Sequence, residues 1–479
     1  MQIVIYISCN IKVGQGHLSR CLNLAHMLKG NNISFTGNID DFGINLIKNY
    51  GYDVGDVEFA DLSIIDDYGI SLEQEIEIAK KSVKIMVIDD SPNRPHYCDI
   101  LLDQNYVSKN NEYLPLMQKY ETQFLLGPEY LLLAPEYFEP FKRITKQKPE
   151  RCLVFFTGGD CQGMTLKAIE AIKDCDFATD VVIGLNNPQK EQIVAEVDKY
   201  PQITLHIQTT KMRELIDNAD FSIGEFGFST WERLARKLPM IGIITSDYQE
   251  KLENYFVKND LVISLGWREK ITIDDIKNAI YNIRNIDLSG YENIGNFKNL
   301  STIINFLSLP FSVRKVTQND SDMLLNWRNQ DYIRQHMATN HVISQQEHDK
   351  WFAKMLVSAA DCYLVFEFKG LPIGLIYFNK INNINAEWGF YIGNKEYLGS
   401  GFGFAMEIYA VWYAFVVLKI KKLLCYVKHT NKNAYNLYIK FGFSEYQKDD
   451  DYIYLELNNR DFIMENMQKF INFYDRKYD

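Results

Sequence analysis

Along residues 1–300, short apolar or β-branched runs alternate with stretches in which apolar residues recur three or four positions apart. "IVIYI", "LSIID", "VKIMVID" and "DILLD" form one set of such runs, and "CLVFFTGGD", "TDVVIGL", "ITLHI", "FSIGEF" and "PMIGIIT" form a second. Strands that are apolar throughout and separated by helical patterns predict parallel sheets covered by helices on both faces. The basic, Pro-containing stretch "RITKQKPERC" divides the sets, giving two doubly wound Rossmann-type domains, 1–145 and 146–305, facing a cleft. After Pro310 the pattern restarts with a strand at Phe311–Val316. Helices in "SDMLLNWRNQ" and "SQQEHDKWFAKML" follow, then the strands "DCYLVFEFKG", "LPIGLIYFNKI" and "NAEWGFYI". A Gly-rich turn, a long helix and the strands "LLCYVK" and "DYIYLEL" complete an α+β third domain, 311–479.

Composition narrows the class. Apolar residues make up 47% and charged residues 24% of 479 residues, so each domain can bury a core. The run "IYAVWYAFVVLKI" is cut by Lys419 and is shorter than the roughly 20 residues a bilayer span needs, so it reads as a buried helix. Met1 and Gln2 lead straight into a strand without a charged leader, which predicts a cytoplasmic protein with no membrane span. Eight scattered cysteines without a CxxC pair suit a reducing compartment and predict no structural metal site. A formal charge of -11 argues against a nucleic-acid surface and leaves small anions, held at helix N-termini, as the expected charged ligands. Oligomeric state is open.

Three strand-to-helix turns carry chemistry in the first two domains. In "VGQGHLSRCLNLAHMLKG", Gly14 and Gly16 permit a tight turn and close approach of a ligand, and His17 falls in the first helical turn. Leu18, Cys21, Leu22, Ala25 and Leu28 form the apolar face, leaving Arg20 on another. In "TGGD", Gly158, Gly159 and Asp160 form a second turn whose amides can cradle a diphosphate. In "IGEFGFSTWERLARKLP", Gly227 precedes a helix headed by Ser229 or Thr230; Ser229 with Glu232 fits a capping box, while Glu232 is also placed to bind ribose hydroxyls. Asp66 and Tyr68, at a strand end, read as substrate contacts, whereas Asp89 and Asp90 fit ligand binding and turn formation equally. His96 and Cys98 read as structural.

The order of the GxGH turn, "IIDDYGIS", "VIDDSPNRPHYCDILLDQN", "LLGPEYLLLAPEY", "TGGD" and "STWERLARKLP" resembles the UDP-2,4-diacetamido-2,4,6-trideoxy-β-L-altropyranose hydrolases of pseudaminic acid biosynthesis, which have a GT-B-like fold. The resemblance implies that UDP sits between the domains, mainly on the second, and that His17 assists water at the anomeric carbon without a metal. A helix N-terminus disfavours imidazolium, which suits a base. Relatives carry an Arg and an Asp ahead of the glycine turn, where this chain has Tyr6 and Ser8.

In the third domain, "YLGSGFGFAMEIYAVWYAF" places Gly399, Gly401 and Gly403 in a turn entering a helix, and "VKHTNKNAYNLYIKFGF" follows. This pair resembles the GNAT acetyltransferases, whose glycine turn holds the coenzyme A pyrophosphate. The form N-x-x-A-x-x-L-Y-x-K-x-G-F is matched by Asn431, Ala434, Leu437, Tyr438, Lys440, Gly442 and Phe443. The resemblance implies acetyl-CoA as acetyl donor, a cofactor-binding role for Asn431, and Tyr438 as the acid that protonates the departing thiolate. "NWRNQDYIRQHM" and "EHDKWF" resemble the subset that acetylates the 4-amino group of UDP-4-amino-4,6-dideoxy-N-acetyl-β-L-altrosamine. There Arg328 pairs either with the nucleotide diphosphate or with a structural carboxylate, Glu387 is the candidate base for the attacking ammonium, and His348 reads as a solvated helix residue.

Together these features predict a bifunctional sugar-nucleotide enzyme that acetylates a UDP-amino sugar and then releases UDP from the product. A GT-B glycosyltransferase, or a non-catalytic sugar-nucleotide-binding module, fused to an acetyltransferase is the alternative.

Overall fold

The structure is a computed structural model and describes all residues except 10–15, 109, 120–121, 145, 147, 157–159, 161–162, 284–285, 287, 289–296, 459–461 and 479. Gly14, Gly158 and Gly159 therefore lie outside the described residues. The first sheet holds β1 (Gln2–Cys9), β2 (Asn32–Ile39), β3 (Asp53–Val54), β4 (Ala60–Asp66), β5 (Ser82–Ile88), β6 (Ile100–Asp103) and β7 (Gln123–Leu126) in the order 3-2-1-4-5-6-7, parallel throughout. The second holds β8 (Arg151–Phe155), β9 (Ala178–Ile183), β10 (Ile203–Ile207), β11 (Phe221–Glu225), β12 (Met240–Ile244) and β13 (Ile263–Trp267) in the order 10-9-8-11-12-13, also parallel. These are the two doubly wound sheets expected of a GT-B-like pair. Each reverses strand order once, between β1 and β4 and between β8 and β11, and open α/β sheets bind ligands outside the strand ends at that point.

The third sheet holds β14 (Phe311–Lys315), β15 (Cys362–Phe368), β16 (Leu371–Asn379), β17 (Asn385–Ile392), β18 (Lys422–Lys428), β19 (Ser444–Lys448) and β20 (Tyr452–Leu457), in the order 14-15-16-17-18-20-19. It is antiparallel except where β17 runs beside β18. Those two strands pair only from Asn385–Glu387 to Lys422–Leu424 and then part, opening a wedge in the sheet. "IYAVWYAF" is buried as expected, in the Phe402–Trp412 helix and the π turn Tyr413–Val417.

Packing divides the chain differently from its order. The Phe297–Leu307 helix buries Leu300, Ile303, Ile304 and Phe306 in a core that includes Leu18, Leu22 and Ala25 of the first domain and Phe311, Phe470 and Tyr409 of the third. The Phe306 ring packs tilted against Phe311 at 5.0 Å, and the Tyr409 hydroxyl donates to Gln123 Oε1 at 3.1 Å. One continuous apolar core thus joins the first and third domains, and the second has its own. At the other crossing, Leu131, Leu133 and Tyr137 already belong to the second domain's core, while Tyr130 and Leu132 face the first. Among the described residues no helix is long and apolar enough to cross a membrane.

Candidate active sites

The register Ile7↔Asp66 between β1 and β4 sets Asp66 at the strand end facing the helix that begins at Gly16. His17 Nδ1 lies 2.7 Å from Asp66 Oδ1, and Arg20 grips the same carboxylate through Nε at 2.7 Å and Nη2 at 2.6 Å. Cys21 Sγ adds a fourth contact at 3.2 Å. Asp66 is completely buried; burial opposes its ionisation, but the Arg20 guanidinium and the His17 hydrogen bond win and hold its carboxyl well below the usual range. An ionised carboxylate only accepts, so Nδ1 is the donor toward Asp66, and in a neutral imidazole so held the lone pair is on Nε2. The His17 side chain is 14% exposed, and the Tyr68 ring stands edge-on to it at 4.7 Å.

Asp66 and Arg20, both expected to contact substrate, are buried. Arg20, on a polar-looking helix face, is buried because its guanidinium is spent on Asp66 and, through Nη1 at 2.6 Å, on Asp90. Both stand behind His17. Tyr68 is 49% exposed, donates to Asp90, and does face solvent. Asp90 also accepts from Asn105 Nδ2 at 2.9 Å, whose Oδ1 accepts from Trp231 Nε1 of the second domain at 2.8 Å. Ser8, standing where relatives carry an Asp, donates to Asp67 Oδ2 at 2.6 Å, so a carboxylate is present beside that position. His96 is buried between Glu75, 2.8 Å from Nδ1, and Asp89, consistent with a structural role.

On the second domain, Gly227 heads the Phe228–Ala235 helix with its own N–H bonded to Thr230 Oγ1 at 3.1 Å. The helix starts two residues earlier than a Ser229 cap requires, so Ser229 is not the cap and lies part-exposed in the first turn. Glu232 hydrogen-bonds the Tyr137 hydroxyl, and burial pushes its carboxyl up to about 7. Asp160 accepts from the amides of Met164 at 3.1 Å and Thr165 at 2.7 Å. Its carboxylate thus holds the first two amides of the Met164–Ile172 helix.

In the third domain, the wedge between β17 and β18 is bounded by Trp388, whose buried Nε1 has no partner among the described residues, and by Tyr438, 5.7 Å from it edge-on. Tyr438 is buried, which pushes its hydroxyl well up. Gly399 and Gly401 take φ of 72° and 100°, and a Cβ at Gly401 would meet the Phe473 ring at 2.5 Å, so this turn demands glycine. Gly403 follows in the helix with no atom closer than 3.7 Å to a Cβ. A glycine turn at a helix N-terminus, beside a sheet wedge holding an unpaired buried N–H, fits a diphosphate and an amide-bearing arm of the coenzyme A kind.

Asn431, expected to contact the cofactor, accepts from the Ala434 amide at 3.2 Å as the cap of the Lys432–Lys440 helix. Glu387 pairs with Lys380 at 2.7 Å on β17. Arg328 donates to the Thr339 carbonyl at 2.6 Å, and its Nη1 is buried without a partner among the described residues. His348 is buried against Ser321 Oγ at 3.1 Å, which corrects the solvated reading. Sequence reasoning missed Glu407: it is wholly buried, both carboxyl oxygens lack partners, and burial pushes it far up. A lone carboxylate inside "FAMEIYAVWYAF" was the available signal.

The wedge, the glycine turn and the buried tyrosine define an acyl-CoA transferase fold, and residues 311–444 match the acetyltransferase (GNAT) domain family. The third domain is a GNAT acetyltransferase domain, a class that uses acetyl-CoA. The chain is 31% identical over 142 residues to acetyltransferase PseH of Campylobacter jejuni, covering 29% of this chain and 87% of that one. It is 26% identical over 178 residues to the UDP-2,4-diacetamido-2,4,6-trideoxy-β-L-altropyranose hydrolase of the same species, covering 37% of this chain and 61% of the relative. An uncharacterized protein of Methanocaldococcus jannaschii is 24% identical over 486 residues, 95% of this chain and 99% of its own. Among the described residues no group of three or more His, Cys, Asp or Glu is arranged to hold a metal.

Proposed function

We propose that the chain carries out two reactions on one sugar nucleotide: acetyl-CoA-dependent N-acetylation of the 4-amino group of UDP-4-amino-4,6-dideoxy-N-acetyl-β-L-altrosamine in the third domain, and hydrolytic release of UDP from the diacetamido product between the first two. The observation that carries the second reaction is the His17–Asp66 pair at the strand-order reversal of the first sheet, opposite the second domain.

Asp66 fixes the Nδ1–H tautomer, so Nε2 takes a proton from water as its oxygen attacks the anomeric carbon. The bond between that carbon and the diphosphate oxygen breaks, and the amides in the first turn of the helix that Gly227 heads stabilise the charge UDP gains. Ser229 and Glu232 bind the nucleoside side, with Tyr68 toward the sugar. Acetyl-CoA, when bound, supplies the acetyl group as a thioester. Gly399, Gly401 and Gly403 receive its diphosphate, Glu387 takes the proton lost by the attacking ammonium, and Tyr438 holds a proton at the sulfur position. Arg328, with Nη1 unpaired, is left available for the diphosphate of the acceptor.

The test follows thiol and UDP separately after mixing the chain with the 4-amino sugar nucleotide and acetyl-CoA. Thiol release followed by UDP release is expected, with His17→Ala removing only the second and Tyr438→Phe slowing the first. Thiol without UDP from the wild type would overturn the hydrolase reading.

A further inference from the structure

We propose that Asn105 is a positioning residue that makes the seat of His17 depend on the docked position of the Phe228–Ala235 helix of the second domain. The proposal rests on the hydrolase reading and adds a regulation of the same site: water is activated when the nucleotide-bearing domain is in place.

A single hydrogen-bonded chain carries the argument. It runs from His17 Nδ1 to Asp66 at 2.7 Å, from Asp66 to Arg20, from Arg20 Nη1 to Asp90 Oδ2 at 2.6 Å, from Asp90 Oδ1 to Asn105 Nδ2 at 2.9 Å, and from Asn105 Oδ1 to Trp231 Nε1 at 2.8 Å. The last link crosses from the first domain to the second. The chemistry of its ends dictates an amide: an ionised carboxylate only accepts and an indole N–H only donates, so the residue between them must offer one donor and one acceptor on opposite atoms. The Asn105 backbone is itself fixed, its N–H bonded to Asp103 Oδ1 at 2.8 Å at the end of β6.

Trp231 is wholly buried, edge-on to Phe256 at 4.8 Å, so its N–H moves only as the helix moves. That helix opens at Gly227 and carries Ser229 and Glu232. Withdrawal of the second domain breaks the Asn105–Trp231 bond, lets the amide turn, and leaves Asp90 Oδ1 without this donor. Arg20, shared between Asp90 and Asp66, is then held less firmly, and His17 with it.

Two measurements on the full chain test this. With the diacetamido sugar nucleotide, Asn105→Ala is expected to lower kcat for UDP release about tenfold, one net hydrogen bond's worth of positioning, with KM unchanged. Trp231→Phe is expected to do the same, and the double variant to be no worse than either. Asn105→Asp is expected to regain activity relative to wild type as pH falls, because a protonated carboxyl again offers a donor and an acceptor. Amide exchange in the unliganded chain supplies the second readout: Asn105→Ala speeds exchange in residues 228–235, and Trp231→Phe speeds it in 16–27. Additive losses, or unchanged exchange across the domains, would overturn the proposal. A wild type that releases no UDP would sink the hydrolase reading, and the exchange data would still decide the coupling.

Discussion

His17 Nδ1 and Asp66 Oδ1 stand 2.7 Å apart, and the same carboxylate is clasped by Arg20, so one buried charge orients the base and neutralises its neighbour. Asp66→Asn is expected to slow UDP release about 10²- to 10⁴-fold, the range for a misplaced general base. It also leaves Arg20 short of a counter-charge, costing about 3–5 kcal/mol of stability. Because Asp66 is held below the ordinary carboxylate range, its stabilisation is present above that range and is lost only as pH falls through the lower folded value. Denaturant melts should therefore show a constant gap between wild type and variant from about pH 8 to about pH 5, closing only in strong acid.

Glu232 gives the nucleotide site a pH dependence. Burial lifts its carboxyl to about 7, and only the ionised form accepts from two ribose hydroxyls. UDP affinity, followed by calorimetry, is expected to weaken as pH falls below about 7, and Glu232→Gln to flatten that dependence while weakening binding at high pH.

Glu407 works in the opposite direction on stability. A carboxyl whose folded value is raised favours the fold below its unfolded value, and that contribution is lost as pH rises toward the folded value. Glu407→Gln removes the titration, so its melting temperature should exceed that of wild type at alkaline pH and converge with it in acid. The carbonyl stretch of a protonated carboxyl, seen in the infrared at neutral pH and absent from the variant, checks the assignment directly.

Gly401→Ala introduces a Cβ 2.5 Å from the Phe473 ring on a backbone with φ of 100°. Acetyl-CoA affinity is expected to fall about tenfold or more, since the turn must open to relieve the strain, about 1–3 kcal/mol. Gly399→Ala shares the positive φ but has open space, so it separates backbone strain from the clash.

Strand existence was largely legible because buried parallel strands are apolar end to end, as in "PMIGIIT", which holds the wholly buried β12. β2 was hidden because Asn32, Thr36, Gly37 and Asn38 interrupt its apolar run. Ile463, Met467, Phe470, Ile471 and Tyr474 recur at helical spacing, the signal of the closing Phe462–Tyr478 helix. In the sites, residue type singled out His17 and Tyr438, but it did not show that Asp66, Arg20, Asp160 and Asn431 hold other side chains or helix amides. Such partnerships are made between residues far apart in sequence: Asp66 is 49 positions from His17, and Trp231 is 126 from Asn105.

The Phe297–Leu307 helix returns the chain to the first domain before the third begins. In spatial terms the second domain is a guest, inserted into a host assembled from the two ends of the polypeptide and moored by two strands of chain. The acetyltransferase is consequently no detachable appendage: cleavage before Phe311 would leave Phe306 and its neighbours without the aromatic wall they lean on, and each fragment would carry a raw apolar face.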